Sequence, residues 1–293
     1  MSIDSLQEKI KRKKSALAVE FTLRPSRLPP MLLAGEKTPA DAYLRFCREL
    51  LPALRDTAAA VRFSFSAFAL LGPEGMKACQ TILREASGMG FYVLLDGPEL
   101  ISTEMAEYAS QTLLGPDSPF VCDGMILPVY AGSDVLKPFL PFCGEKKKDL
   151  FVVVRTPNKS APELQDLLTG SRLVHQAAAD SVSRFSADYI GKYGYSRVGM
   201  LAAATSADSL RSLRGKYPGV FLLVDGLDCP GANLKNVSLA FDRLGRGAAF
   251  CAARRITCAW ERKEAGEKDF AAAAAEEAQR LKKGLQRYIP SHL

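Results

Sequence analysis

The 293-residue chain is 47% hydrophobic and 24% charged, with a formal net charge of +7, a composition typical of a soluble globular protein. Its apolar runs stop short of the roughly 20 residues that span a bilayer, and the basic start SLQEKIKRKK is followed by no signal-peptide core. We therefore expect a cytoplasmic protein with no membrane partner. The basic residues form short patches without interleaved aromatic residues, which argues against a nucleic-acid partner.

Eight short apolar runs predict β-strands, because each spans only a few residues and ends at polar or breaker residues. They are LAVEFT (17–22), AAVRFSF (59–65), FYVLLD (91–96), CDGMILPV (122–129), LFVVVR (150–155), RVGMLAAA (197–204), VFLLVDG (220–226) and AAFCAA (248–253). Helical stretches separate them at 41–56, 73–87, 161–185 and 206–217. Pro52 is expected to kink or end the first of these helices.

Eight strands alternating with helices predict the α/β class and a closed (β/α)8 barrel, the TIM barrel. No linker or internal repeat beyond the βα unit interrupts the sequence, so we expect one domain over residues 1–293. A basic N-terminal helix is expected at about 2–13. An Ala-, Glu- and Lys-rich C-terminal helix is expected at about 264–288.

The seven cysteines are scattered and form no CxxC pair or Cys/His cluster, and His175 and His292 are the only histidines. This pattern supports neither a zinc site nor a disulfide framework, so we expect reduced core thiols. A Ser/His/Asp or Cys/His triad would need His175. Because His175 lies in a helical stretch, we favour a hydrogen-bonded structural histidine.

In a TIM barrel, ligands bind where the strands end, and the loops after strands seven and eight commonly hold phosphate. These loops read VDGLDCPGANLKN and AARRIT. Gly226 and Gly231 would let backbone N–H groups approach an anion, and Arg254 could grip phosphate with its planar fork. The same residues also fit a simpler interpretation, in which the glycines are turn residues and Arg254 is a surface charge.

Asp96 ends the third predicted strand and is followed by Gly-Pro. A carboxylate at the end of a buried strand is costly to desolvate and normally survives because a cation or a ligand needs it. The residues that follow, Pro98 to Ile101, offer Asp96 no partner. Its partner must come from elsewhere in the fold.

Six segments together carry a resemblance to a known family. In order they are VRFSFSAFALLGPEG, FYVLLDGPEL, CDGMILPVYAGSD, LFVVVRTPNKSAPELQDL, VDGLDCPG and AARRI. From about residue 15 to residue 260 the chain resembles orotidine 5′-phosphate decarboxylase of the longer bacterial subtype. The resemblance implies a homodimeric (β/α)8 barrel that uses no metal or organic cofactor. The family converts orotidine monophosphate (OMP) to UMP and carbon dioxide in pyrimidine nucleotide synthesis.

The family's reaction depends on alternating lysines and aspartates at the ends of strands two and three, and the resemblance implies that this array is damaged. Arg62 stands for the second-strand lysine, Asp96 for the first aspartate, Pro98 for the proton-donating lysine, and Ile101 for the last aspartate. Proline has no proton to give, and a guanidinium almost never deprotonates. We expect Asp96 to pair with Arg62 as a remnant of the catalytic site.

Other family positions are partly kept. Asn158 and Thr205 match substrate-binding positions, and Gly226, Gly231 and Arg254 match phosphate-binding ones. Further positions depart from the family. Thr22 or Glu20 stands where the ribose-binding aspartate would be, and Pro157 replaces a serine that contacts the pyrimidine. In the loop after strand seven, Asp225 replaces a proline, Asp228 replaces a glycine that helps to hold the phosphate, and Pro230 replaces a glutamine that contacts the ligand. Asp228 places negative charge where the phosphate would lie.

Three hypotheses follow from these departures. The first is a binding or regulatory protein that holds a small phosphate-bearing ligand, OMP- or UMP-like, through Arg254 and the backbone of 226–232. The second is an enzyme, either an atypical OMP decarboxylase or one that uses Arg62, Asp96 and Glu99 for different chemistry. The third is a non-catalytic partner of an intact homologue.

Overall fold

Eight parallel strands close into a barrel in the computed structural model, which describes residues 3–22, 24–98, 100–262 and 266–290. Each strand pairs with its neighbours in chain order, and the first pairs with the last, so the predicted (β/α)8 fold is confirmed. The strands are β1 (Leu17–Phe21), β2 (Ala60–Ser64), β3 (Tyr92–Asp96), β4 (Gly124–Pro128), β5 (Asp149–Val153), β6 (Ser196–Ala203), β7 (Val220–Asp225) and β8 (Ala248–Ala252).

The strands are apolar on both faces, because one face packs inside the barrel and the other against the helices. Most strand residues are buried, whereas the last residues of β2, β3, β4, β5 and β7 are partly open. The carboxyl end of the barrel is therefore its accessible mouth. Polar residues there, such as Asp96 and Asp225, lie at strand ends rather than in the core.

Thirteen α-helices are found in the described residues, most of them around the barrel. They are α1 (Ile3–Lys13), α2 (Pro30–Gly35), α3 (Pro39–Leu54), α4 (Phe65–Ala69), α5 (Gly72–Gly88), α6 (Thr103–Leu114), α7 (Leu140–Glu145), α8 (Pro162–Gln165), α9 (Val174–Ser186), α10 (Ala207–Lys216), α11 (Leu234–Ser238), α12 (Arg254–Thr257) and α13 (Phe270–Leu285). None of the helices in this part of the chain has both the length and the apolar character needed to cross a membrane.

The prediction of one continuous helix over 161–185 is wrong. The segment forms α8, then a small hairpin of Leu168–Thr169 and Arg172–Leu173, then α9. Gly170 turns the hairpin with a φ of +65°, a conformation that glycine adopts without steric cost. Helix α3 ends at Leu54, two residues after Pro52, as expected for a proline near a helix end.

Helix α1 packs at the amino end of the barrel, next to the residues that precede β3 and β8, and α13 packs on the outside against α3 and β1; both use apolar faces. Ile3, Leu6 and Ile10 of α1 are buried, as are Phe270 and Leu281 of α13. Helix α13 is shorter than the predicted 264–288 helix, since short 3-10 turns at 259–262 and 266–269 come before it. Residues 263–265 and His292 lie outside the described residues.

Candidate active site

One arginine and three carboxylates meet at the centre of the barrel mouth. Arg62 Nη1 lies 3.1 Å from Glu20 Oε2 and 2.9 Å from Asp225 Oδ2. Its Nη2 lies 2.5 Å from Asp96 Oδ2. The Arg62 side chain is only 7% exposed, against 12% for Glu20, 17% for Asp225 and 28% for Asp96. The guanidinium is thus the buried hub of an ion cluster whose acids reach toward the mouth.

The barrel register brings these four residues together. Glu20 on β1 stands directly beside Arg62 on β2, and Asp96 ends β3, the next strand. Asp225 ends β7 and meets Arg62 from the other side of the barrel, because β8 and β1 separate the two strands. The pair of Arg62 with Asp96 expected from the sequence is present. The contributions of Glu20 and Asp225 were missed.

Burial and the charges of the neighbouring side chains shift the pKa values of Glu20 and Arg62 in this cluster. Burial raises the pKa of Glu20 to about 7 although Arg62 opposes the shift, and the neighbouring Asp225 and Asp96 add to the rise. Burial acts against the charged form of Arg62, but the three carboxylates outweigh it and raise the pKa of Arg62 well above its ordinary value. Arg62 therefore stays cationic, whereas Glu20 exchanges a proton near neutral pH.

Cys251 on β8 adds a thiol to the cluster. Ligand atoms of Glu20, Asp225 and Cys251 lie within 4.8 Å of one another, as in a metal site. However, the Arg62 guanidinium already binds both carboxylates, and burial keeps the pKa of the Cys251 thiol well above its ordinary value. Arg62 supplies the positive charge that a metal ion would bring, so this donor set fits a metal poorly.

Asp228 occupies the backbone N–H groups at the start of α12. Its Oδ2 accepts hydrogen bonds from the N–H groups of Ala253 at 3.0 Å and Arg255 at 3.3 Å. Its other oxygen lies 3.6 Å from Arg255 Nε. The sequence predicted that Asp228 adds negative charge at this position. The structure shows that its carboxylate also takes the N–H donors at 253 and 255.

Pro157 packs against Gly226, which has a φ of +77°. A Cβ atom built on Gly226 would lie 2.2 Å from Pro157 Cβ, so only glycine fits there. Gly231, with a φ of +84°, has open space around it. Both glycines are required by their turns, and Gly226 is also closed off by Pro157 from one side.

Arg254, the first residue of α12, lines two pockets at the mouth. One of about 410 Å³ is formed with Thr22, Arg24, Arg27 and Ala253. The other, of about 280 Å³, is formed with Arg27, Asp228, Arg255, Cys258, Glu261 and Arg262. Arginine side chains therefore dominate the mouth near the ends of β1 and β8.

The remaining predicted site residues lie apart from the ion cluster. Asn158 is exposed, and its side-chain amide donates to Ser160 Oγ at 3.0 Å. Thr205 lies in the turn after β6 and is partly buried. Pro98 follows β3, and Ile101 is 76% exposed. Glu99, which one hypothesis used for catalysis, is outside the described residues.

His175 is part of a hydrogen-bonded core cluster, as the sequence predicted. Its Nδ1 lies 2.9 Å from the Gln165 carbonyl oxygen and its Nε2 3.2 Å from Ser209 Oγ. Asp166 is also near, at 3.4 Å, but its carboxylate binds Arg155 at 2.9 Å. His175 and Ser209 are 2% and 6% exposed, so this Ser/His/Asp arrangement joins α8, α9 and α10 rather than facing a substrate.

Closed parallel barrels with polar groups at the strand ends are a common scaffold for small-molecule enzymes. No family model matches the chain. The chain is 31% identical over 229 residues to an orotidine 5′-phosphate decarboxylase of Rhodopirellula baltica, a match that covers 77% of this chain and 76% of that protein. It superposes on the OMP decarboxylase of Leishmania donovani with a TM-score of 0.69 and 26% identity, covering 97% and 99% of the two chains.

A more distant likeness shows the fold alone. The orotidine 5′-monophosphate decarboxylase of Methanocaldococcus jannaschii, solved with the inhibitor BMP, is 13% identical with a TM-score of 0.61, covering 92% of this chain and 97% of that chain. The mouth that holds Arg62 is the ligand-bearing end of a TIM barrel. The chain belongs to the orotidine 5′-phosphate decarboxylase family.

Glu20→Gln is expected to flatten the pH dependence of stability. The folded state keeps a proton on Glu20 between its ordinary pKa of 4.5 and about 7, whereas the unfolded state releases it. The free energy of unfolding therefore falls with rising pH in this window, by up to about 1.4 kcal/mol per pH unit. The substituted glutamine would not titrate but would still accept a hydrogen bond from Arg62, so the variant should gain stability relative to the unmodified chain above pH 7.

Urea unfolding at several pH values between 5 and 8 measures this effect. The exposed Glu74→Gln serves as a control that removes a carboxylate outside the cluster. If the free energy of unfolding changed with pH as steeply in Glu20→Gln as in the unmodified chain, the raised pKa of Glu20 would be contradicted.

Proposed function

We propose that this chain is a divergent family member that holds a small phosphate-bearing ligand of the OMP or UMP type without decarboxylating it. The observation that carries the proposal is the ion cluster, in which Arg62 is bonded to Glu20, Asp96 and Asp225. The family's chemistry needs a lysine that gives a proton to the carbanion. At the matching position Pro98 has none, and the Arg62 guanidinium does not release one.

The charge balance of the cluster supports the same proposal. With three acids around one arginine, the cluster is negative even when Glu20 keeps its proton. A negative site can repel a substrate carboxylate, but stabilising a carbanion requires preorganised positive charge. The guanidinium of Arg62 already forms ion pairs with three carboxylates, so its positive charge is balanced within the cluster.

Phosphate recognition would rest on arginine side chains. The backbone N–H groups at 253 and 255 are taken by Asp228, so they are not open to a ligand. Arg24, Arg27 and Arg254 surround the 410 Å³ pocket, and guanidinium groups bind phosphate in a bidentate manner. We propose that a ligand phosphate lies in this pocket, beside the arginines rather than on the backbone N–H groups that Asp228 occupies.

A second candidate function is supported by Glu20. Its pKa of about 7 makes it a group able to donate a proton near neutral pH. An atypical decarboxylase could use Glu20 in place of the missing lysine. In that case activity would depend on Glu20 and decline as the pH rises above about 7.

We further propose that the protein forms a cytoplasmic homodimer. Ile101, Met105 and Tyr108 are 76%, 44% and 67% exposed and follow one another around the start of α6 beside the mouth. Exposed apolar residues of this kind suit a two-fold interface with a second copy. The seven free cysteines suit a reducing compartment.

The first experiment tests decarboxylation. The purified chain, mixed with OMP, should leave the orotate absorbance band unchanged, whereas an authentic decarboxylase in a parallel reaction should remove it. Turnover would contradict the main proposal. Turnover that is lost in Glu20→Gln would instead support the second candidate.

Ligand binding is tested by the melting temperature. UMP or OMP should raise it by stabilising the folded state, and Arg254→Ala should abolish the rise. Asp228→Asn removes a negative charge beside the ligand but keeps a hydrogen-bond acceptor, so it should enlarge the rise. Arg184→Ala, an exposed change on α9, is the control; no rise with either nucleotide would contradict binding.

The dimer is tested by light scattering on a sizing column. The chain should elute at twice its mass of 31.8 kDa, and the double variant Ile101→Glu/Tyr108→Glu should elute as a monomer because charge is placed at the interface. Leu244→Glu, at another exposed apolar residue (54%), should stay dimeric. A monomeric unmodified chain would contradict the homodimer.

A further inference from the structure

A strongly basic pocket of about 700 Å³ lies at the end of the barrel opposite the mouth. Its charged lining residues are Arg12, Lys13, Lys14, Arg55, Lys282 and Asp56. Five cations thus face one acid. We call this cavity the basal pocket.

The barrel topology explains why these residues meet. Arg12 to Lys14 close α1 and precede β1, and Arg55 and Asp56 follow α3 and precede β2. Gly88 to Gly90, which complete the wall, follow α5 and precede β3. The amino ends of parallel neighbouring strands share one face of a barrel, so the basal pocket is separated from Arg62 by the barrel interior.

Helix termini account for only part of this charge. The carboxyl end of a helix carries roughly half a negative charge, which a basic residue in the last turn offsets. Lys13 lies in the last turn of α1; it also donates to the carbonyl of Ala58 in the loop before β2, at 2.7 Å, and lies 4.5 Å from the centre of the Phe91 ring. Arg12, Lys14, Arg55 and Lys282 make no side-chain hydrogen bond or ion pair with other described residues. A formal surplus of four positive charges remains.

Burial, and after it repulsion between the cations, lowers the pKa of two lysines in the basal pocket. Burial lowers the pKa of Lys13 to about 8, and repulsion from Lys9, Arg12 and Arg55 adds to the shift while Asp56 opposes it. Burial and Lys14 also lower the pKa of Lys282, again opposed by Asp56. A bound anion would relieve this repulsion and raise the pKa of Lys13.

We propose that the basal pocket binds an oligophosphate group, either free or as the phosphate chain of a nucleotide. Two arginines can grip phosphate oxygens with planar forks, and three lysines add point charges. A chain of several phosphates matches five cations around 700 Å³ better than a single phosphate does. This site is independent of the proposed function, since it shares no residue with the mouth.

The test is calorimetric titration of the 293-residue chain with sodium tripolyphosphate at low ionic strength, where charges act beyond about 10 Å. The double variant Arg12→Gln/Lys14→Gln should weaken binding by about tenfold or more, since it removes two charge-assisted contacts. The control Lys77→Gln/Lys146→Gln removes the same charge from exposed positions outside the pocket and should bind normally. Arg254→Ala should also bind normally, which separates this site from the mouth.

The source of the phosphate chain is tested with ATP and adenosine. ATP should bind with an affinity similar to or above that of tripolyphosphate, and adenosine should not bind. Equal weakening in the two double variants, no binding of tripolyphosphate, or equal binding of adenosine and ATP would overturn the proposal.

Proton uptake provides an independent readout. Near pH 8, where Lys13 is about half protonated, protonation of Lys13 on binding should contribute an uptake of about half a proton per site. This is measured from the binding enthalpy in buffers of different ionisation enthalpy. Lys13→Arg should still bind with an uptake smaller by about half a proton, and its affinity should fall less than that of the unmodified chain as pH rises through 8. Equal uptake by Lys13→Arg and the unmodified chain would overturn the role of Lys13.

Discussion

The barrel mouth is organised by a buried cation that cannot be neutralised. A guanidinium in the interior is tolerated only where carboxylates compensate its desolvation. For Arg62 these come from three different strands, Glu20 on β1, Asp96 on β3 and Asp225 on β7. Removing any one acid leaves the others, but removing Arg62 would leave three acids facing one another. The polar character of the mouth therefore depends on Arg62.

Asp228 is the counterpart of Arg62 near the ends of β7 and β8. Arg62 draws acids that could otherwise act on a substrate, and Asp228 takes N–H groups that could otherwise hold a phosphate. Pro157 adds a steric element by packing on Gly226. In each case a group of the chain itself bonds to or packs against a residue of the mouth. The arginines around the pocket of Arg254 are the part of the mouth best placed to bind an anion.

The strands were predictable to within about two residues, because a barrel strand buried on both faces is a short uninterrupted apolar run. The helix over 161–185 was not, since α8 ends at Gln165 and a hairpin turned by Gly170 comes before α9 begins at Val174. The pair of Arg62 with Asp96 followed from adjacent strands. Asp225 contacts Arg62 from a strand that is far away in sequence, and no local sequence pattern reveals such a contact. The position of Asp225 at a strand end did indicate that it lies at the mouth.

The two ends of the barrel have opposite electrostatic character, and this follows from where the chain places its charges. The centre of the mouth holds three acids around one arginine, whereas the basal pocket holds five cations and one acid. The apolar core cluster that holds the barrel together includes neither set. The fold can therefore remain that of the decarboxylase family while the charges at its ends change. Likeness of fold and sequence therefore identifies the family here, whereas the proposed ligands follow from the charges at the two ends of the barrel.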